Sequence, residues 1–326
     1  MQKTISIIYP VMPTDVGTVA PFARLAETTS SRRLWLGQSL MVETHHVFAA
    51  LTGMGFDLRY GTAVAIMPLR HPLTAAINAR SVAALSGQPF VAGIGPGAAA
   101  LQTRMFGAPY QAPVTQTRRY VSMMRSLTEG KLATEAEGPW ATDGLELPEL
   151  DAPSVEIGLG VLREPMARLA GRIADWAITW LTPANYIRER LAPAIQEAAR
   201  QEGRPAPRTA SVVHCAVTRP HRDLGQTAFH AARNHLAAPH YTNMLNQAGV
   251  PVDPDQPRRG ADLLIKHGVV ATGTPDEIAA RLASYYDAGV DEVVVSTGGV
   301  HIGEGPGAAL RDLSDILTAL NERGIR

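Results

Sequence analysis

The sequence lacks most of the features that sort proteins quickly. It has one cysteine, Cys215, in 326 residues, so an internal disulfide is impossible and a reducing, cytoplasmic setting is expected. That thiol sits in the strand-like run TASVVHCAV (209–217), where a small buried hydrophobe is a better reading than a nucleophile. No sign of charge is in excess: 30 basic and 30 acidic residues cancel, which argues against nucleic acid or an anionic membrane as a partner. No apolar run reaches the roughly 18 residues that cross a bilayer. The opening MQKTISIIYPVMP has neither the apolar core nor the cleavage site of a secretory leader, so none is expected. A Walker loop, a G-x-S-x-G elbow and a C-x-x-C pair are all missing, which removes several common enzyme classes. His230, His235 and His240 are spaced by five with no carboxylate or cysteine to complete a ligand set, so no metal is expected.

What is present is an alternation of two periods. Short apolar or β-branched runs fall at 4–9, 33–37, 58–66, 90–95, 154–160, 175–180, 209–217 and 291–296. Between them lie segments with apolar residues at helical spacing, such as PLTAAINARSVAALSG and TPDEIAARLASYYDAG. Eight strands, each followed by helix, predict parallel βα units with a sheet buried on both faces. The expected fold is a (β/α)8 TIM barrel, a single domain over 1–326; an open doubly wound sheet is the alternative. Thr274-Pro275-Asp276-Glu277 reads as a capped helix start. Two segments exceed ordinary loop length. Residues 131–153 read as a polar surface excursion, and 219–268 as a helical lid inserted between the seventh strand and the last βα unit.

In such a barrel the reacting groups gather at the C-terminal tips of the strands. Here those tips are small, apolar and glycine-rich: Pro10-Val11-Met12, Gly37-Gln38-Ser39, Val64 to Pro68, GIGPGAAA (93–100) and GLGVLREPM (158–166). They suit a flat aromatic ring lying against backbone better than a metal or an acid–base pair. GIGPG places successive amides and a helix start where a phosphate could sit, although a tight turn without a ligand explains it equally. In GLGVLREP the amides of Val161, Leu162 and Arg163 open a helix and Arg163 adds a positive charge; a solvated arginine at a helix start is the plainer reading. Thr44 reads as the N-cap of the helix carrying His45 and His46, which are either exposed first-turn residues or proton donors. Met12, Met41, Met67 and Trp180 gather near the mouth and suggest an apolar substrate pocket, with core packing as the alternative for each.

The order of these pieces resembles the luciferase-like flavin and deazaflavin oxidoreductase family over nearly the whole chain. LRYGTAVAIMPLRHPLTAAINARSVAALSGQPFVAGIGPG (58–97) is similar to the family's third and fourth βα units. IGLGVLREPMARLAGRIADWAITW (157–180) resembles its fifth strand, phosphate-binding helix and sixth strand. HYTNMLNQAGV (240–250) and GTPDEIAARLASYYDAGVDEVVV (273–295) resemble its lid and last unit. The details are most similar to the branch that uses coenzyme F420, a 5-deazaflavin that carries hydride only.

The resemblance implies a cis peptide at Ala63-Val64, bulging from the third strand to support the ring. It implies that Gln38 and Ser39 reach the ring edge, that Gly95, Gly97 and Ala98 approach ring and tail, and that Val161, Leu162 and Arg163 take the phosphate. It also implies a homodimer, for which the apolar segment THHVFAALTGMGF is available, although core packing explains that segment equally. The sequence departs from the pattern at SGQPF, before the fourth strand, and at Arg163, where glycine is common. Ser39 and Ala98 stand where sugar-phosphate-oxidising members carry a histidine and a glutamate. The reaction implied is therefore reduction of a C=C or C=N bond in a small molecule or a natural-product or peptide intermediate by reduced F420. Glu43, His45, His46 and Tyr110 are the candidate donors of the accompanying proton, with water as a competitor. The alternatives are an FMN-dependent monooxygenase on the same fold and a non-catalytic barrel that binds a ligand or partner.

Overall fold

In the computed structural model, which describes residues 3–325, each of the eight apolar runs forms a strand. In chain order these are Thr4–Ile8, Arg33–Leu36, Arg59–Thr62, Phe90–Gly95, Val155–Gly160, Trp176–Trp180, Arg208–Val217 and Glu292–Ser296. All pair in parallel with their neighbours, and the ring closes because the first strand pairs with the eighth and the sixth with the seventh. Ala210 of the seventh strand faces Ile178 on one side and Glu292 on the other. The result is the expected closed (β/α)8 barrel and not an open sheet.

Strand parity builds two cores. Ile8, Trp35, Ala63, Val91, Ile178, Val212 and Val294 point into the barrel and pack on one another. The residues between them, such as Ile7, Leu34, Ala92, Ile94, Val213 and Cys215, point outward into the layer beneath the helices. Cys215 is a buried member of that layer, as its surroundings in the sequence suggest. The barrel floor holds a buried ion pair between Arg33 and Glu292. Trp35 Nε1 donates to Glu292 Oε1 at 2.8 Å, and the Arg33 guanidinium lies 4.9 Å from the Trp176 ring centre. Glycines of the fourth and fifth strands make room for the interior side chains. A Cβ at Gly93 would stand 1.9 Å from the Thr62 carbonyl oxygen, and one at Gly158 would stand 2.8 Å from Ile178 Cδ1.

The long segments divide as their composition suggests. Within 131–153 an antiparallel pair forms between Ala133–Glu135 and Thr142–Leu145. Within 219–268 three helices form, Leu224–Leu236, Pro239–Gln247 and Pro257–Lys266, before the short strand Ala271–Gly273 joins the edge of the seventh strand. The first of them packs so closely on helix Gly298–Glu304 that a Cβ at Gly299 would meet the Thr227 carbonyl oxygen at 2.1 Å. Helix Pro275–Asp287 carries the expected capping box of Thr274 and Glu277. One cap differs from expectation: helix Thr44–Gly53 is capped by Glu43, not Thr44. The Thr44 hydroxyl donates instead to the Gly37 carbonyl at 2.8 Å. On this helix Val47, Phe48 and Leu51 face the core, leaving Met54 as its exposed large hydrophobe. Among the described residues no helix is long and apolar enough to cross a membrane.

Candidate active site at the barrel mouth

The third strand is interrupted where GTAVAI runs out. After Arg59–Thr62 the chain passes a cis peptide at Ala63-Val64, where the family resemblance places one, and resumes as Ala65–Ile66 alongside the fourth strand. The interruption sets the Val64 side chain across the mouth. A Cβ added at Gly95 would stand 2.8 Å from Val64 Cγ2, and one at Gly160 would stand 3.5 Å from both Val64 methyls. Val64 thus lies over two strand ends that carry no side chain, forming a half-buried apolar shelf.

Gln38 braces this shelf. Its Oε1 accepts from the Ile66 amide at 3.3 Å and from Arg70 Nη1 at 3.1 Å, while Nε2 donates to the Ser39 carbonyl at 2.7 Å. Ser39 is buried, and its Oγ accepts from the Met41 amide at 3.0 Å. Beyond the fourth strand Gly97 takes φ +74°, a left-handed conformation suited to glycine. Ala98 then caps helix Ala99–Phe106 without a side chain to occupy the helix amides. Beyond the fifth strand Arg163 caps helix Glu164–Ile173, again with no side-chain hydrogen bond to its amides. The expected phosphate set needs one correction: the Val161 amide already donates to the Ile178 carbonyl at 2.7 Å, which leaves Leu162, Arg163 and the helix start. Arg163 Nη1 also reaches Asn243 Oδ1 of helix Pro239–Gln247 at 3.4 Å.

The four donor candidates separate. Glu43 accepts from the His45 amide at 2.6 Å, from Arg70 Nη2 at 3.0 Å and from the His46 amide at 3.3 Å. Burial opposes its ionisation, but the His45 hydrogen bond and the His45 and Arg70 charges hold its pKa at about 2, so it has no proton to give at neutral pH. The His45 ring contacts Glu43 through Nδ1 at 2.9 Å and packs 5.8 Å from Phe90, an outward-pointing residue. Its place in the first turn, three residues before Phe48, turns it toward the layer beneath the helices and not toward the mouth. His46 is exposed. Tyr110 sits beside the fourth-strand exit, its amide donating at 2.9 Å to Gln102, which in turn donates to the Pro96 and Gly97 carbonyls. Its ring lies 5.8 Å from Phe106 and 6.0 Å from Trp140, against the edge of the helix-layer core. Burial pushes its phenol up to about 12, and its hydroxyl has no partner among the described residues.

The four pocket candidates also separate. Met12 and Met41 are exposed near the rim, and the Met12 sulfur accepts from the Leu40 amide at 3.4 Å. Trp180 packs against the barrel interior from the end of the sixth strand. Met67 is a correction: it is buried among the helix-layer residues and its sulfur meets the Thr117 hydroxyl, because the turn Met67–Leu69 points it outward. The sequence reading missed the other half of the mouth, where His214, Ser296 and His235 join Trp180. Strand parity was the available signal, since His214 lies two and four residues beyond the inward-facing Val212 and Ala210. His235 and His240 lie on separate helices, and the break before Pro239 folds the chain so that both pack on Tyr241, at 4.7 and 4.9 Å.

A family model described as luciferase-like monooxygenase matches residues 8–292. Among curated proteins, a 5,10-methylenetetrahydromethanopterin reductase from Methanolobus tindarius is 26% identical over 168 residues, covering 50% of this chain and 50% of that protein. The chain therefore aligns with about half the length of that relative. Among solved structures, the coenzyme F420 dependent tetrahydromethanopterin reductase of Methanopyrus kandleri superposes with a TM-score of 0.74 at 18% identity, over 98% of this chain and 100% of that one. The oxygenating constituent of 3,6-diketocamphane monooxygenase from Pseudomonas putida, in complex with FMN, gives 0.70 at 14% identity, over 100% and 99%. Likeness at these identities speaks for the fold.

Proposed function

Because this chain belongs to the luciferase-like monooxygenase family, we propose that it is an F420-dependent reductase that saturates a C=C or C=N bond of a small molecule or of a natural-product or peptide intermediate. The observation that carries this reading is the Val64 shelf. Of its two underlying glycines, Gly95 cannot gain a Cβ without pressing on Val64, while Gly160 meets the Val64 methyls at ordinary contact distance, and a flat ring is the kind of ligand such a bare platform fits. Deazaflavin, when bound, supplies a hydride and no oxygen chemistry. Gly97 to Ala99 and Leu162 to Arg163 would hold its anionic tail at helix starts without side-chain caps. Gln38 would act mainly by fixing the backbone on which the ring rests.

The direction of reaction is proposed from the residues beside the shelf. Ser39 and Ala98 cannot act as the base of an alcohol oxidation, and Glu43 is engaged by Arg70 and two amides. That leaves the neutral His214 and His235 across the mouth as proton acceptors, and oxidation of an added alcohol substrate is the outcome that would reverse this assignment. A reduction needs one proton besides the hydride, and Tyr110 keeps its proton at neutral pH. We assign the proton to Tyr110 ahead of the exposed His46, and the apolar rim around Met12 and Met41 to substrate entry. A homodimer is part of the same proposal.

Separate titrations with F420 and FMN test the cofactor, followed by a screen of unsaturated compounds for oxidation of the reduced coenzyme. Tight binding of F420 with one coenzyme oxidised per double bond reduced is the expected result. Tight FMN binding with oxygen consumption would replace it by the monooxygenase reading, and binding of neither cofactor by a non-catalytic barrel.

A further inference from the structure

Opposite the shelf stands a wall of polar groups that nothing among the described residues satisfies. Both ring nitrogens of His214, the indole nitrogen of Trp180, the hydroxyl of Ser296 and Nδ1 of His235 have no hydrogen-bond partner among the described residues. His214 and Ser296 are 4% and 1% exposed. Buried polar atoms are almost always paired, so five orphans in one place require an explanation.

They are in one place. His214 pairs in register with Ser296 on the neighbouring strand. The Trp180 ring centre lies 5.6 Å from that of His214 and 5.7 Å from that of His235, on which it stacks. A Cβ at Gly298 would stand 3.5 Å from Ser296 Oγ and 3.6 Å from His214 Cε1. The backbone supports the arrangement: Leu181, directly after Trp180, takes φ +51°, a conformation that a bulky residue adopts only where its surroundings impose it. The Thr182 hydroxyl then bonds back to the Trp180 carbonyl at 3.1 Å. Position completes the argument. In a ring of eight strands the seventh is diametrically opposite the third, so a flat ligand with one face on Val64 turns its other face toward His214.

We propose that His214, Ser296, Trp180 and His235 form a subsite for an uncharged hydrogen-bonding edge of the substrate, of the amide or lactam type. The inference rests on the reading of the shelf as a ring platform. The wall offers donors and acceptors side by side, since a neutral imidazole and a hydroxyl each provide both and an indole provides a donor. It is also uncharged at neutral pH: burial, then His235, pulls His214 down to about 3, and burial, then His240, pulls His235 down to about 4. An amide edge presents an N–H and a C=O that complement this pattern. A carboxylate would bring a charge with no cation to receive it, at a high desolvation cost.

The test uses the full-length protein and three probes in ligand-observed NMR titrations, with and without coenzyme: 5,6-dihydropyridin-2-one, the corresponding lactone, and crotonate. Coenzyme affinity is measured separately in every variant, so a failure of the cofactor reading is visible apart from a failure of the wall. The lactam is expected to bind about tenfold more tightly than the lactone, with crotonate weakest. His214→Phe and Ser296→Ala should each weaken the lactam about tenfold while leaving coenzyme affinity unchanged. His214→Gln, which keeps a donor and an acceptor, should retain binding and guards against simple misfolding. Crotonate binding as well as the lactam, no lactam binding at all, or equal loss of lactam and coenzyme in His214→Phe would each overturn the proposal.

Discussion

At the scale of single residues the mouth depends on a few atoms with no room to move. Gly95→Ala places a methyl 2.8 Å from Val64 Cγ2. Val64 is only half-buried and can shift as a unit despite its stiff χ1, so the fold should survive while the shelf is displaced. Coenzyme affinity is expected to fall about tenfold, or about 1.4 kcal/mol, with the unfolding midpoint unchanged; equal affinity in fluorescence titration would remove the shelf from the site. Tyr110→Phe should lower turnover at saturating substrate about 100-fold without altering coenzyme binding, the loss expected of a general acid. Glu43 carries a pH signature. Its folded pKa of about 2 lies below the ordinary 4.5, so its stabilisation is complete above pH 4.5 and disappears as pH falls toward 2. With allowance for solvent screening this is about 1–2 kcal/mol, and Glu43→Gln should flatten the acid limb of the unfolding curve in that window. Glu43 also marks a limit of reading by residue type. Threonine is the better cap by preference, yet Glu43 takes the helix amides because Arg70, distant in sequence, compensates its burial.

At the scale of elements the strands were legible and their facing was not fully used. Strands buried on both faces read as unbroken apolar runs, which is why all eight are visible in the sequence. In TASVVHCAV the same continuity conceals which residues point inward, and the rare cysteine draws attention while the neighbouring His214 lines the mouth. The exposed rim at Met12 and Met41 was readable from their place after strand ends; Met67 was not, because a single 3-10 turn reverses its direction. The insertion is joined to the barrel at several points, among them the pairing of Arg219 and Arg222 with Asp312 and the stacking of His235 on Trp180. Its tightest approach is at Gly299. Gly299→Ala would drive a methyl into the Thr227 carbonyl, 2.1 Å away, where backbone and not a flexible side chain must yield. The expected cost is about 1–3 kcal/mol, seen as a lower melting temperature and faster proteolysis within 219–268.

At the scale of the whole molecule the barrel has a charged floor and a bare mouth. The Arg33–Glu292 pair links the second strand to the eighth across the first. Glu292→Ala would leave a buried guanidinium unpaired, for an expected loss of about 3–5 kcal/mol in urea unfolding; a smaller loss would mean that Arg33 finds another partner or water. The opposed placement of shelf and wall has an evolutionary consequence. The residues proposed to carry the ring and its tail fall within 38–163, whereas those of the proposed wall fall within 180–296. On that proposal one gene segment would govern how electrons are delivered and a later one would select the molecule that receives them. Lineages, or chimeras joined between those segments, can exchange one trait while inheriting the other intact.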